Sequence, residues 1–357
     1  MSLAILFDSI PVLMGKSGDV LYFILWVAQT SILAQLSGGV QSAISLVFMF
    51  DFNGLSAAVL CFKSFVSGNN FAIGGGTFDA KLAPLTLPMY IWPAKLIMMR
   101  ALTALIALLP LLLAALCFHR YSPDRLKATR VTERRNLLAT LHVWSRPLSR
   151  QLTPLYVWAA QHPGRLGQVL AEVALSLNCA PFMLLVIAVT MLAAGVAPAN
   201  ELATVSLWSA AAWGIFVSDL ASRHVQAGIV PLVESVHGGS DRAYLRTWMV
   251  SVTVGLLMVG VALFRLCLSS PLFALALVCG MLFLSALASC VGTMTRTGRS
   301  FLTMFLVWLY ISTQAPNIAQ LDVLGFNRAA TMGTSLMFAS IAVAALLAGL
   351  VWNRRRA

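Results

Sequence analysis

The sequence predicts an all-α, polytopic membrane protein with about nine transmembrane helices. Of the 357 residues, 59% are hydrophobic and 10% are charged, whereas an ordinary soluble domain has about 25% charged residues. The apolar residues form long blocks between short polar segments, and about 18 or more apolar residues with few charges indicate a membrane span. We expect spans at residues 20–36, 40–62, 96–117, 172–194, 201–220, 247–264, 271–292, 300–316 and 331–352.

The second of these blocks is the least regular. Asp51, Asn53 and Gly54 interrupt the apolar stretch 40–62. The stretch is therefore either one span or a shorter span that ends near Phe50 and is followed by a re-entrant segment.

The basic residues mark one side of the predicted spans. Cytoplasmic loops of multi-pass proteins are enriched in Lys and Arg, so we expect this side to be cytoplasmic, with the C-terminus inside and the N-terminus outside. The most basic loop carries Arg120, Arg125, Lys127, Arg130, Arg134, Arg135, Arg146, Arg150 and Arg165. Counting the spans forward places on the same side Arg223, Arg242, Arg246, Arg296, Arg299, Arg354, Arg355 and Arg356.

This distribution explains the net charge of +12 without a nucleic-acid partner. The excess charge follows the membrane topology, and the expected environment of the chain is a lipid bilayer. The loops are rich in Arg and poor in Lys, and the N-terminal stretch lacks a signal-peptide pattern. These features indicate a multi-pass protein of a bacterial inner membrane.

The basic stretch divides the predicted spans into two groups. We expect a three-span N-terminal membrane region at residues 1–118, a basic cytoplasmic linker at 119–170 and a six-span membrane domain at 171–357. Within the linker, residues 151–170 combine aromatic and polar residues. This segment is either an interfacial helix lying along the lipid headgroups or a solvated linker.

A weak internal repeat relates the two groups of spans. In residues 33–54 and again near the end of the chain, a span ends at a small-residue turn, an aromatic-rich span follows, and an Asp precedes a Gly by three positions. Asp51 and Gly54 then match Asp322 and Gly325, which become candidate residues of a transport pathway or of an outer segment. The alternative is chance similarity between two apolar stretches.

Several kinds of chemistry are disfavoured by the motifs. Gly15-Lys16-Ser17 resembles the end of a phosphate-binding loop, but that loop needs a Gly where Ile10 stands. No cluster of His, Cys and carboxylates has metal-site spacing, so we expect no metal and no catalytic residues. Carboxylates are nearly absent from the middle of the spans, with Asp51 the exception, which disfavours an ion-coupled carrier.

The loop at residues 218–250 carries the strongest functional pattern. Its charged residues, among them Arg223 and Glu234, surround a short apolar segment, and the Gly238-Gly239 pair predicts a turn before the next span. We expect two short helical pieces. Such an amphipathic element suits docking to a partner protein, and packing on the membrane surface is equally compatible with it.

The order of features in this loop resembles permease subunits of type-2 ATP-binding-cassette (ABC) exporters. The similar order is a basic residue, a Gly, an apolar helix, a Gly-Gly turn and an Arg. The six spans, the short basic connection TMTRTGRSF at 293–301 and the outer segment QLDVLGF at 320–326 resemble the same family. The resemblance covers residues 150–357 and, more loosely, 20–125.

The resemblance implies a coupling loop at residues 221–246 that contacts a separate cytoplasmic ATPase subunit. ATP would bind to that subunit, so this chain itself would hold no cofactor and would not be an enzyme. The family usually works with two six-span units, so a second membrane subunit or a homodimer is a further expected partner. The docking residues that it implies are Arg223, Gly228, Glu234, Gly238, Gly239 and Arg242.

Two other functions stay open beside the exporter permease. One is a polytopic membrane enzyme or an accessory assembly protein that acts on lipid or envelope precursors and depends on outer polar residues such as Asn69, Asn70, Asp79 or Asp322. The other is an ion-coupled secondary transporter that depends on Asp51.

Overall fold

The computed structural model describes residues 2–10, 13, 15–39, 49–54, 94–117, 144–236 and 238–355. The regular structure in these ranges is entirely helical, and the chain divides into two compact units, residues 1–140 and 141–357. The α-helices are α1 (Ser2–Ser9), α2 (Lys16–Gly39), α3 (Ala94–Cys117), α4 (Thr153–Gln161), α5 (Arg165–Cys179), α6 (Phe182–Val196), α7 (Leu202–Val217), α8 (Arg223–Gln226), α9 (Val230–Glu234), α10 (Gly239–Ser269), α11 (Pro271–Thr295), α12 (Gly298–Gln314) and α13 (Met332–Arg354).

In the first unit, α1 packs against α2 and α3. The rings of Phe7 on α1 and Tyr22 on α2 lie 6.0 Å apart in an edge-on arrangement. The long apolar helix α3 leaves large side chains such as Leu112 and Leu116 exposed. A face of this kind requires lipid or a protein partner, since exposed apolar area of this extent is unfavourable in water.

The described residues 49–54 lie inside the predicted second span and are not a continuous α-helix. A 3-10 turn at Met49 and Phe50 leads into a tight turn in which the Gly54 N–H donates to Asp51 Oδ1 at 2.9 Å. The predicted interruption of this span by Asp51 and Gly54 is thus present. The flanking segments 40–48 and 55–62 lie outside the described residues.

In the second unit, six of the helices run between two ends: α6, α7, α10, α11, α12 and α13. At one end, the start of α10 is joined to the last turn of α13 by the Asp241–Arg354 ion pair, 2.7 Å between Oδ2 and Nε. The same end brings Gly298, the first residue of α12, so close to the segment after α7 that a Cβ on it would lie 2.4 Å from Asp219 Oδ1. We call this the basic end.

The opposite end of this unit is closed by two arginines. Arg265 Nη1, near the end of α10, donates to the carbonyls of Ala194 and Ala197, each at 2.6 Å. These carbonyls belong to the last turn of α6 and the residue after it, where a positive charge is favourable. Arg328 Nη2 donates to Ala199 O at 3.3 Å, which ties the α12–α13 connection to the same segment.

The core of this unit is built on α11, which packs against α10 and α13 and is lined with small residues. Small residues allow helices in a membrane to approach closely. A Cβ on Gly280 of α11 would lie 2.2 Å from Val323 O. On the other side of the core, the fully buried Trp213 of α7 donates from Nε1 to Ser251 O of α10 at 2.9 Å.

Within the described residues, five helices are long and apolar enough to cross a membrane, or six if a bent helix pair counts as one span. This composition defines a multi-pass membrane protein, whereas the predicted count of nine spans is not confirmed. The 17 residues of α12 lie at the lower limit for a span. The five are α3, Leu202–Gln226, α10, α11 and α13.

The predicted span at 172–194 is not one continuous helix. α5 and α6 meet at an angle of 103°, with Pro181 at the break. α6 alone has 15 residues, which corresponds to about 22 Å at 1.5 Å per residue. α5 therefore lies across the direction of α6 and packs on α10 instead of extending the span.

Candidate functional site at the basic end

The two ends of the second unit differ in charge. The arginines at the opposite end in the described residues are Arg265 and Arg328. Those of the basic end are Arg223, Arg242, Arg246, Arg296, Arg299, Arg354 and Arg355, with Arg165 at the start of α5. These eight arginines, which were all predicted to lie on one side of the membrane, therefore lie at the same end of this unit.

A charge cluster joins three helices at the basic end. Glu172 of α5 lies between two arginines, with Oε1 3.6 Å from Arg223 Nη1 and Oε2 3.5 Å from Arg246 Nε. Arg223 Nη1 also donates to Ser176 Oγ at 3.0 Å, and Ser176 is fully buried. We call these four residues the Glu172 cluster. It connects the end of α7 and the short helix α8 to both α5 and α10.

The side chains of this cluster are partly shielded from water. Those of Glu172, Arg223 and Arg246 are 20%, 27% and 29% exposed. One carboxylate faces two guanidinium groups, so the cluster keeps a net positive charge. Glu172 therefore offsets the repulsion between the two arginines as well as pairing with each of them.

The predicted coupling loop has the expected two short helices. A 3-10 turn at Leu220–Ser222 leads into α8, and α9 follows after a turn at Gly228, whose φ is +67°. The Gly238-Gly239 turn ends the loop: Gly238 has a φ of +64°, and a Cβ on Gly239 would lie 2.2 Å from Val233 O. Both positions favour Gly for conformational or steric reasons.

One face of this loop projects away from the helices. Leu232 and Val236 are 71% and 55% exposed, and Ile229 is also exposed. Glu234 lies among them and is exposed as well. The loop thus presents exposed apolar side chains with a carboxylate beside them.

The six predicted docking residues do not share one environment. Arg223 points inward to the Glu172 cluster and is partly covered. Gly239 is partly covered, and Gly228, Glu234, Gly238 and Arg242 are exposed. Of these, Glu234 presents an exposed charged side chain on the loop itself, and Arg242 lies on the first turn of α10.

A small pocket of about 90 Å³ lies beneath the loop. It is lined by His224 and Glu234 from the loop, Tyr244 from α10, Arg296 after α11 and Asn353 from α13. Such a volume holds a few water molecules. The pocket shows that the loop lies against the ends of three core helices.

Asp322 lies far from this loop, in the connection between α12 and α13. Its carboxylate is 1% exposed and accepts backbone N–H groups from Asn327 at 3.1 Å, Ala329 at 2.9 Å and Ala330 at 3.2 Å. Asn327 in turn donates to Ser312 O at 2.8 Å. A carboxylate held by three backbone donors organises the connection and supports a structural role for Asp322.

The two matched Asp–Gly pairs adopt the same local turn. Gly54 and Gly325 have φ values of +75° and +74°, and the N–H of each donates to the carbonyl of its matched Asp, at 3.2 and 3.3 Å. Asp51, like Asp322, is 1% exposed, and its Oδ2 lies 3.9 Å from Arg100 Nη1 of α3. The likeness supports the predicted repeat at the level of the turn.

Glu172, Ser176 and Arg246 were not predicted as site residues. The signal for Glu172 and Ser176 is a polar stripe in α5 at Arg165, Gln168, Glu172 and Ser176, spaced as one face of a helix. Arg246 lies on α10, outside this stripe. Such a stripe is typical of an amphipathic helix on a protein surface and not of a membrane span.

Comparisons of the chain with protein families, curated proteins and solved structures find no match. Among the residues that the structure describes, no group of three or more His, Cys, Asp or Glu side chains is placed to hold a metal ion.

Proposed function

We propose that the chain is the permease subunit of an ATP-driven exporter similar to the type-2 ABC family, energised by a separate ATPase that docks on residues 221–246. The observation that carries the proposal is the projecting loop. Ile229, Leu232 and Val236 are all exposed on this short loop, and the exposed Glu234 supplies a charge beside them. An exposed patch of this kind is typical of a partner surface.

The contacts beneath the loop supply a route for energy transfer. Arg223 at the start of α8 is paired with Glu172, which is paired with Arg246 of α10. A partner that displaces α8 and α9 would therefore pull on α5 and α10 together. The loop is also continuous with α7, and Ser218 and Asp219, which directly follow α7, lie close to Gly298 at the start of α12. Movement of one short element would thus reach several spanning helices.

The charge asymmetry supports an orientation. The basic end would face the cytoplasm, as the enrichment of arginine in cytoplasmic loops predicts. The C-terminus would then be cytoplasmic, and the N-terminus outside if the predicted number of spans holds. The proposed location is a bacterial inner membrane, and cytoplasmic ATP would be available to a partner bound at this end.

A second membrane subunit or another copy of this chain belongs to the same proposal. α3 exposes Leu105, Leu112 and Leu116 by 64%, 66% and 74%. This face could be covered by a partner helix as well as by lipid acyl chains. The family that the sequence resembles usually works with two six-span units, and association with a second membrane subunit or another copy of this chain would supply the second one.

The test is co-purification of an ATPase with the tagged full chain in mild detergent. Two variants change the projecting face: Leu232→Asp and Glu234→Lys. The matched control is Glu201→Lys, which makes the same charge change at an exposed residue of the opposite end. The eluate is assayed for ATP hydrolysis. Its proteins are identified by mass spectrometry, and their sequences are searched for a phosphate-binding loop motif.

We expect an ATPase to be recovered with the wild type and with Glu201→Lys, and to be lost with both loop variants. Recovery of no ATPase with the wild-type chain would refute the proposal. Equal recovery with all variants would refute the assignment of the loop as the docking surface.

A further inference from the structure

The groove between α5 and the start of α10 is strongly basic. It encloses about 320 Å³, which is within the usual range of about 300–1,000 Å³ for ligand sites. Arg165 of α5 and Arg242 and Arg246 of α10 contribute to its lining. Gln168 adds an uncharged polar side chain between them.

The positive charge of this groove is only partly balanced. Arg165 and Arg242 are both exposed, and among the described residues neither forms an ion pair. Arg246 shares the carboxylate of Glu172 with Arg223. α5 also begins at the groove, so the partial positive charge of its N-terminus adds to that of the arginines. The groove therefore attracts an anion.

The same two helices also contribute apolar side chains to the groove. Val169 of α5 and Leu245 and Met249 of α10 contribute to the lining. Met249 lies further along α10, which is long and apolar enough to cross a membrane. The lining thus combines three arginines with three apolar side chains beside a candidate membrane span. This combination matches a molecule with an anionic head and a hydrocarbon tail.

The position of α5 favours a membrane lipid over a soluble anion. α5 is bent by 103° from α6, so it lies across the end of the helix bundle, where the headgroup layer is expected. Leu166, beside Arg165, is 72% exposed, as expected for a residue that dips into lipid. Basic pockets between helices at this depth bind anionic headgroups.

We propose that the groove binds an anionic phospholipid, with the headgroup phosphate between Arg165, Arg242 and Arg246 and an acyl chain along Leu245 and Met249. The inference does not depend on the ATPase partner, because every group involved belongs to α5 and α10. Arg242 lies at the edge of the loop, and the exporter proposal includes it among the ATPase-docking residues. The present proposal gives it a contact with lipid.

The test measures lipid retained by the purified full chain in detergent, by native mass spectrometry. The probes are dioleoylphosphatidylglycerol, the zwitterionic dioleoylphosphatidylcholine, and millimolar inorganic phosphate as a competitor. The main variant is Arg165→Gln with Arg242→Gln. The matched control removes two exposed arginines from outside the groove, Arg150→Gln with Arg355→Gln.

We expect the wild type and the control to retain phosphatidylglycerol in preference to phosphatidylcholine, with no displacement by phosphate. Each arginine removed from the groove should weaken binding about fivefold, so about 25-fold for the pair. Gln168→Glu keeps both arginines and adds one negative charge, and it should weaken binding about fivefold. It serves as the second variant if the arginine pair does not fold.

Equal loss in the control and the groove variant would overturn the proposal, since binding would then follow total charge. Equal retention in the wild type, the groove variant and Gln168→Glu would also overturn it. Displacement by inorganic phosphate would assign the groove to a small soluble anion instead of a lipid.

Discussion

Replacing Glu172 by Gln tests whether the Glu172 cluster holds the loop in place. The change keeps the size of the side chain and removes the negative charge that lies 3.6 Å from Arg223 and 3.5 Å from Arg246. The two guanidinium groups would then repel each other without a carboxylate between them. We expect α8 and the adjoining loop to detach from α5 more often.

The size of the effect follows from the geometry. Both N–O distances exceed the range of about 2.7–2.9 Å for strong charged hydrogen bonds, and the side chains are 20–29% exposed. The two pairs should therefore contribute more to stability than surface ion pairs, which contribute about 0–1 kcal/mol, and less than fully buried ion pairs. A total of about 1–2 kcal/mol corresponds to a roughly 5- to 30-fold larger open population.

Limited proteolysis of the detergent-solubilised protein measures this population. Trypsin cleavage after Arg223 should follow the fraction of open loops when opening is fast relative to cleavage, because Arg223 is held inward in the closed form. Fragment masses distinguish this cut from others. Glu201→Gln, an exposed carboxamide substitution at the opposite end, is the matched control and should leave the rate unchanged.

A double-mutant cycle separates the ion pair from general destabilisation. Arg246→Gln removes one of the two like charges, so Glu172→Gln should have a smaller effect in that background than in the wild type. An unchanged cleavage rate in Glu172→Gln, or an equal rise in Glu201→Gln, would refute the role assigned to the cluster.

Two further substitutions test packing and turn structure. Gly280→Ala should lower stability by about 1–3 kcal/mol, because the added Cβ would lie 2.2 Å from Val323 O. The control Gly260→Ala, which has open space around it, should be neutral or slightly stabilising. Equal melting temperatures of the two variants in detergent would contradict the packing of α11. Asp322→Asn places an amide donor among three backbone N–H groups and should cost about 1–3 kcal/mol. Its melting temperature should fall below that of the wild type, and an unchanged value would mean that the carboxylate does not organise the turn.

Hydrophobic patterning predicted where the long helices lie but not how they are broken. The predicted stretches 96–117 and 271–292 lie within α3 and α11. A long apolar segment in a membrane forms an α-helix because its backbone hydrogen bonds must be made within the segment. The predicted span 172–194 combined the second half of an amphipathic helix with a short apolar one. The polar stripe of α5 and Pro181 indicate the break between α5 and α6. A prediction from apolar content alone does not detect these two features.

The loop was predictable in its local form and not in its tertiary contacts. Gly228 and Gly238 mark turns that residue type reveals directly. The direction of Arg223 depends on Ser176, 47 residues earlier in the chain, and no local pattern connects the two. Asp322 was likewise predicted as a notable residue, whereas its three backbone partners become visible only once the connection is folded.

The bent helix pair has a consequence for the surrounding bilayer. α6 reaches about 22 Å, whereas the apolar part of α10 between Arg246 and Arg265 reaches about 27 Å, and the hydrocarbon layer is about 30 Å thick. The hydrophobic mismatch is therefore larger at α6, and a thinner membrane beside this helix would reduce it, at a modest energy for each ångström. The protein would therefore deform its annular lipid asymmetrically, and lipids with shorter acyl chains would relieve the deformation beside α6.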